Sequence, residues 1–197
     1  ESDAVTIDDR WHLGSCTKAM TATLCARLVE RGILRWDQKL CDVLADVPAD
    51  VNDRRKEVTL ERLLLMRAGF PKDLGRDGLW GRLWKREGTP AEQRLTLYRG
   101  VIAWAPVSES PDTFEYSNAS FALAGLMAER AAKKPFEDLI REEIFEPLGM
   151  TSAGFGAPRE REGAAPPLGH HGKDGRVPVP ANDDGDNPPA ITPAGRV

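Results

Sequence analysis

Apolar residues recur with helical spacing along most of the first 155 residues. Within residues 15–31, Met20, Leu24 and Leu28 follow one another every four positions, and Gly32 follows this stretch as a typical helix stop. We expect further helices over residues 37–44, 59–66, 89–104, 118–132 and 135–145, and short strands over residues 4–7 and 176–179. The pattern therefore predicts a mostly helical body with very few strands.

The glycine and proline content changes near residue 156. These two residue types make up 18 of the first 155 residues but 15 of the last 42, a level typical of irregular segments. The change predicts a helical region over residues 1–155 and an irregular connecting segment over residues 156–197, which is either mobile or pinned onto the helical region. Six helices with almost no strands are unusual beside so long an irregular segment. We therefore expect partner strands outside these 197 residues.

Charge and composition narrow the classes of function. The 197 residues carry a formal net charge of −4 and no basic stripe, which argues against a nucleic-acid partner. No apolar stretch reaches the roughly 18 residues that a transmembrane helix needs, so no membrane span is expected. Residues 1–4 lack the basic and apolar parts of a leader peptide, and periplasmic, secreted and cytoplasmic locations all stay open.

The cysteines and histidines give no metal signature. Cys16, Cys25 and Cys41 are odd in number, and their spacing fits neither a disulfide framework nor a zinc site. We expect three reduced thiols used as small apolar residues, no metal ion and no cofactor.

Ser15 and Lys18 are spaced as a nucleophile and a base at the start of the first predicted helix. Residues three apart share one helix face, so the Lys18 amine can approach the Ser15 hydroxyl. A serine hydroxyl needs such a neighbouring base, and a helix N-terminus offers free N–H groups to an oxyanion. Ser15 would serve equally well as a plain helix cap, so the motif alone leaves both interpretations open.

Tyr116, Ser117 and Asn118 precede the next apolar helix. Neighbouring cations can lower the pKa of a phenol such as Tyr116 until it acts as a general base. The side chain of Asn118 offers an acceptor and two donors to a substrate amide. Alternatively, Ser117 or Asn118 simply caps the helix.

Taken together, the two motifs resemble those of a known superfamily. Residues 11–18 resemble the nucleophile segment of the serine β-lactamases and penicillin-binding proteins, and residues 116–118 resemble their second motif in its Tyr-x-Asn form. That form is seen in class C β-lactamases, D-alanyl-D-alanine peptidases and β-lactamase-like esterases. Further landmarks follow in the same order at residues 30–37, 58–64, 145–150, 169–170 and 193–195.

The resemblance implies an α/β (α+β) fold of the β-lactamase/transpeptidase type, of which this chain holds mostly the helical region and an incomplete sheet. It also implies a serine hydrolase, in which Ser15 attacks a carbonyl to form an acyl-enzyme. Lys18 and Tyr116 would then handle the protons, and Asn118 would orient the substrate amide. The expected partner is a small-molecule substrate, either a β-lactam, a small ester or a D-alanyl peptide.

The chain departs from this pattern at the third motif, a Lys or His two positions before a Gly on a strand. The candidate, residues 170–172, lies too early, and we expect it to be a solvated loop. A non-catalytic or truncated member acting in binding therefore stays open, as does a helical interaction domain with chance motifs. Apolar faces left without strands would favour association. Trp80 and Trp84 would either line a cleft or pack as one helix face.

Overall fold

The computed structural model of the protein describes residues 4–108, 110, 112–159 and 166–197, and for Asp183 the backbone alone. Residues 1–3, part of the stretch on which the leader prediction rests, lie outside these ranges. The helices are α1 Thr17–Glu30, α2 Leu40–Val43, α3 Leu60–Leu64, α4 Leu79–Trp84, α5 Pro90–Ile102, α6 Asn118–Ala132, α7 Phe136–Ile140 and α8 Thr192–Gly195. The strands are β1 His170–His171 and β2 Val177–Pro178. Short 3-10 turns span Gly14–Cys16, Asp53–Arg55, Arg76–Gly78, Asp183–Gly185 and Pro189–Ile191.

Helix α6 is the centre of the core. It is buried along most of its length and packs against α1, α3, α5 and α8. Gly125 lets α8 approach closely, because a Cβ atom at this position would lie 2.3 Å from Pro193 Cγ. The small residues of α6 therefore fix how the end of the chain sits on the helical region.

The predicted starts of α3, α5 and α6 are confirmed by side-chain caps. The alternative in which Ser15 caps the first helix is wrong, because α1 has Cys16 at its N-cap position and no side-chain cap bond. Thr59 caps α3, and Thr89 and Glu92 form a reciprocal capping box at the start of α5. Ser117 caps α6. These polar caps satisfy backbone N–H groups that the helix leaves without an internal partner.

Several predicted boundaries are wrong. The helix predicted from residue 37 begins at Leu40, because Lys39 is extended and pairs with Thr59. The helix predicted over residues 135–145 is divided into α7 and a π-helical turn, Arg141–Phe145. The strand predicted at 4–7 is absent from the described chain, where Ile7 is fully exposed.

The strand prediction at 176–179 is confirmed in part. Strand β2 pairs antiparallel with β1, so the two histidines predicted to lie in a loop form a short exposed strand instead. Helix α4 lies outside the predicted helix ranges but agrees with the alternative in which Trp80 and Trp84 belong to one helix. Within α4, Trp80 packs against the core, whereas Trp84 stays 37% exposed and contacts Trp80 edge-on at 6.0 Å.

The last eight residues of the chain, 190–197, are buried. The Pro189–Ile191 turn packs on α5, and α8 packs on both α1 and α6. The proline-rich connecting segment thus ends inside the helical core. The division of the chain at residue 155 stays a prediction.

The surface has a few features that bear on partners. No helix in the described ranges is both long and apolar enough to cross a membrane. In the same ranges, no group of three or more His, Cys, Asp or Glu residues is arranged to hold a metal ion. Trp11, Phe114 and Leu148 are each more than half exposed. Association through an uncovered apolar face stays a prediction.

Candidate active site

Ser15 lies exposed on the turn that leads into α1. The turn spans Gly14–Cys16, and Gly14 has a φ of +53°, which favours glycine. One helical turn later, Lys18 is only 8% exposed, and its Nζ lies 3.0 Å from Ser15 Oγ. The three-residue spacing therefore brings the hydroxyl and the amine together.

Tyr116 reaches this pair from the loop before α6. Two anchors hold the loop: the Glu115 N–H donates to Met66 O at 2.9 Å, and Ser117 Oγ donates to Pro71 O at 3.0 Å. Tyr116 OH lies 2.7 Å from Ser15 Oγ and 2.9 Å from Lys18 Nζ. The phenol, the hydroxyl and the amine thus form a closed triangle of hydrogen bonds.

Lys18 has two further oxygen partners. Its Nζ donates to Asn118 Oδ1 at 2.9 Å and to the backbone oxygen of Ala194 at 2.7 Å. Four oxygens therefore surround a group that carries three N–H bonds as an ammonium ion. The structure brings together all four residues that the sequence analysis placed in the site.

Residues 193–197 form one wall of this site, a contact that the motifs do not predict. Thr21 Oγ1 donates to Pro193 O at 2.7 Å, and Thr17 Oγ1 accepts from the Val197 N–H at 3.1 Å. Both threonines are fully buried. The signal in the sequence was the polar face of α1, where Thr17, Lys18 and Thr21 share one side of the helix.

Opposing effects act on the Tyr116 phenol. Partial burial raises its pKa, but hydrogen bonds with Lys18 and Ser15 and the positive charges of Lys18 and Lys72 lower it. The net effect holds the pKa of Tyr116 below its ordinary value. Lys72 is a contributor that no motif indicated.

This geometry permits a short proton relay. When the Tyr116 phenol is ionised, its oxygen can accept the Ser15 proton across 2.7 Å, and Lys18, 2.9 Å away, stabilises the phenolate. His170 and His171 lie in exposed strand β1, and the described contacts do not join them to the four residues. Trp84 lines a separate cavity of about 400 Å³ together with His12 and Asp186.

Comparisons with known proteins place the chain in a family. A family model described as Beta-lactamase matches residues 2–197. Penicillin-binding protein 4 of Amycolatopsis lactamdurans is 32% identical over 197 residues, which cover 98% of this chain and 48% of the relative. The chain thus spans about half the length of this relative.

Solved structures agree with this assignment. The penicillin binding protein from Bacillus halodurans matches with a TM-score of 0.67 and 27% identity, over 95% of this chain and 56% of that protein. The D-alanine carboxypeptidase AmpC from Burkholderia cenocepacia matches with a TM-score of 0.69 and 24% identity, over 98% of this chain and 47% of that protein. The second match shows the fold alone.

These matches confirm the predicted superfamily and its fold, of which this chain holds mostly helices and two short strands. The chain therefore belongs to the Beta-lactamase family, a hydrolase family of the β-lactamase/transpeptidase-like fold.

Proposed function

We propose that this chain carries the nucleophile and proton relay of a serine hydrolase that acts through an acyl-enzyme. The observation that carries the proposal is the triangle of Ser15 Oγ, Tyr116 OH and Lys18 Nζ, whose sides measure 2.7, 2.9 and 3.0 Å. A hydroxyl held between a phenol and an amine is activated in the way that a serine nucleophile requires. Family membership supports the same reaction class.

The proposed reaction has two halves. Ser15 Oγ bonds to the substrate carbonyl carbon while its proton passes to the Tyr116–Lys18 pair, and the bond to the leaving group breaks as that group takes up a proton. Water then attacks the acyl ester, which releases the acid and returns the proton to Ser15. Asn118 orients the substrate amide and holds Lys18, and the Ser15 N–H is one donor to the oxyanion.

The proposed substrates are β-lactams and small carboxylic esters. A D-alanyl peptide or a D-amino-acid amide is the second candidate, favoured by structural matches named a D-alanine carboxypeptidase and a D-stereospecific amidohydrolase of Streptomyces sp.. Both classes present a carbonyl carbon to an exposed hydroxyl. The activity of the whole protein belongs to the same proposal, because the chain spans only 48% of Penicillin-binding protein 4.

We expect slow turnover by this chain itself. Among the described residues, the strands β1 and β2 are exposed and form no hydrogen bond with Ser15. We therefore do not assign the second oxyanion donor to either strand. Loss of one such donor typically lowers kcat by about 10²–10³. Formation of the acyl-enzyme is therefore a more sensitive readout than turnover.

A substrate panel on matched variants tests the proposal. We expect Ser15→Ala to abolish hydrolysis of nitrocefin, p-nitrophenyl esters and D-alanyl peptides, and Lys18→Ala to lower it by roughly 10²–10⁴. Ser152→Ala, an exposed serine outside the triangle, is the control and should keep the wild-type rate. Wild-type rates in Lys18→Ala would refute the role proposed for the amine.

A further inference from the structure

A second hydrogen-bonded cluster lies directly behind Ser15, outside the four residues of the proposed relay. His12 precedes Ser15 by three positions, and its Nδ1 accepts a hydrogen bond from the Gly14 N–H at 3.0 Å. A ring nitrogen that accepts a hydrogen bond carries no proton, so the neutral ring holds its proton on Nε2. This contact joins the His12 side chain to the backbone immediately before the nucleophile.

Asp186 fixes the other side of the ring. His12 Nε2 lies 3.0 Å from Asp186 Oδ1, and Arg196 Nε donates to Asp186 Oδ2 at 2.8 Å. Arg86 Nη2 donates to the backbone oxygen of Asp186 at 2.6 Å. The Asp186 side chain is 2% exposed and that of Arg196 is 8% exposed, so the carboxylate is held in place from inside the protein.

The two peptides that lead into Ser15 each have a fixed neighbour. His12 holds the Gly14 N–H, which belongs to the peptide between Leu13 and Gly14. Gly195 lies against the next peptide, since a Cβ atom at Gly195 would lie 3.6 Å from the Gly14 carbonyl carbon and oxygen and 3.8 Å from Ser15 N. Glycine tolerates many rotations, so these two contacts help to hold Gly14 at its φ of +53° and thereby influence the direction of the Ser15 N–H.

We propose that His12 is a positioning residue for Ser15: Asp186 and Arg196 keep its Nδ1 unprotonated, and Nδ1 then holds the Leu13–Gly14 peptide, from which the turn to Ser15 begins, in the orientation that acyl transfer needs. This inference rests on the proposed function of Ser15. His12 transfers no proton in the reaction and acts through the backbone alone.

Two variants test the contributions of the two ring nitrogens of His12 separately. Asn at position 12 places its Oδ1 where Nδ1 lies and can still accept from the Gly14 N–H, but it cannot reach Asp186. Gln at position 12 reaches toward Asp186 but offers no acceptor in the place of Nδ1. We therefore expect His12→Gln to react with a fluorophosphonate at Ser15 roughly tenfold more slowly than wild type, and His12→Asn to stay within about threefold.

The labelling rates are measured by intact mass on the chain, with thermal melting as a check of folding. A slow His12→Gln together with a rescued His12→Asn supports the inference, because loss of packing alone would slow both variants. Equal rates in all three proteins, or equal losses in both variants, would overturn it.

The tautomer of His12 is an independent measurement that needs no activity. Long-range ¹H–¹⁵N spectra of the ¹⁵N-labelled chain distinguish His12 from His170 and His171, with His12→Asn giving the assignment. A proton on Nε2 supports the inference, and a proton on Nδ1 overturns it whatever the labelling rates are. If wild type is not labelled at all, the proposed function fails, while the tautomer still decides whether His12 is held as described.

Discussion

At the scale of single residues, the site depends on how Lys18 is surrounded. Its Nζ is buried, and a buried charge is costly unless oxygens surround it. Ser15, Tyr116 and Asn118 supply three of these oxygens, and the backbone of Ala194 supplies the fourth. The motif spacing predicted the three side chains, whereas a backbone carbonyl leaves no trace in the sequence.

The two tyrosines of the chain should ionise far apart in pH. Burial raises the pKa of Tyr98 to about 12, with Cys41 adding to the effect. Burial also raises that of Tyr116, but Lys18, Ser15 and Lys72 more than offset it, so the net pKa lies below the ordinary 10. A pH titration of phenolate absorbance should therefore show two steps, one on either side of pH 10.

The Tyr116→Phe variant assigns the steps. It should remove the lower step and leave the upper one, because the pKa of Tyr98 is raised by burial and by Cys41 and not by the groups around Tyr116. Lys18→Met should move the lower step upward, since the main source of stabilisation of the phenolate is gone. A lower step that persists in Tyr116→Phe would contradict the assignment.

At the scale of elements, the contact between α6 and α8 ties the core to the site. Gly125 on α6 lies against Pro193, and Pro193 precedes the Ala194 oxygen that accepts from Lys18. A methyl group at position 125 would lie 2.3 Å from Pro193 Cγ and 3.2 Å from Phe136 Cδ2. Packing at one helix position thus determines where a polar atom of the site lies.

Gly125→Ala should destabilise the chain and slow the labelling of Ser15. Inserting a methyl group into a close-packed core costs about 1–3 kcal/mol, and relief of the clash displaces α8. Gly81→Ala on α4 is the matched control, because a Cβ atom there meets nothing within 4 Å. The control should be neutral or stabilising by up to about 1 kcal/mol. Denaturant unfolding and labelling rates check both variants, and equal behaviour of the two would contradict the packing argument.

The elements also show which parts of the fold the sequence predicts. Local sequence signals were sufficient where a single side chain determines the start of a helix, as at the Thr89 cap of α5 and the Ser117 cap of α6. Local signals failed where contacts between residues far apart in the sequence determine the local structure. Lys39 is extended because Thr59 pairs with it, and the proline-rich end is buried because α1 and α6 cover it.

The same distinction holds for the candidate site. Ser15 and Lys18 were predictable from helical spacing, and Tyr116 and Asn118 from their motif. His12 and Asp186, 174 positions apart, gave no joint signal, because neither residue type at its position is unusual by itself. Their contact exists only after the chain has folded.

At the scale of the whole molecule, two buried carboxylates join distant parts of the chain. Asp186 bonds with His12 and Arg196. Glu143, in the π-helical turn after α7, bonds with Arg27 of α1 and with Arg31, which follows α1. Burial raises the pKa of each carboxyl, but the basic partners outweigh it and hold both pKa values below their ordinary range. Each carboxylate therefore favours the folded state while it is ionised.

Stability should consequently fall in acid. A carboxyl whose pKa is lower in the folded state contributes stability above its unfolded pKa, near 4, and loses that contribution as the pH falls through its folded pKa. Glu143→Gln should have a lower Tm than the wild type at about pH 6, and the difference between the two Tm values should shrink at acidic pH. Glu87→Gln, an exposed carboxylate, is the control and should show no such convergence. A Glu143→Gln deficit that stays constant down to acidic pH would contradict the ionic role.

The central claim, that Ser15 is a nucleophile, is tested most directly by locating a covalent adduct. The chain is incubated with a labelled penicillin and, separately, with a fluorophosphonate, and peptides are mapped by mass spectrometry. The account predicts an adduct on Ser15 with at least one reagent, and none in Ser15→Ala. Absence of an adduct with both reagents, or an adduct that persists in Ser15→Ala, would contradict it.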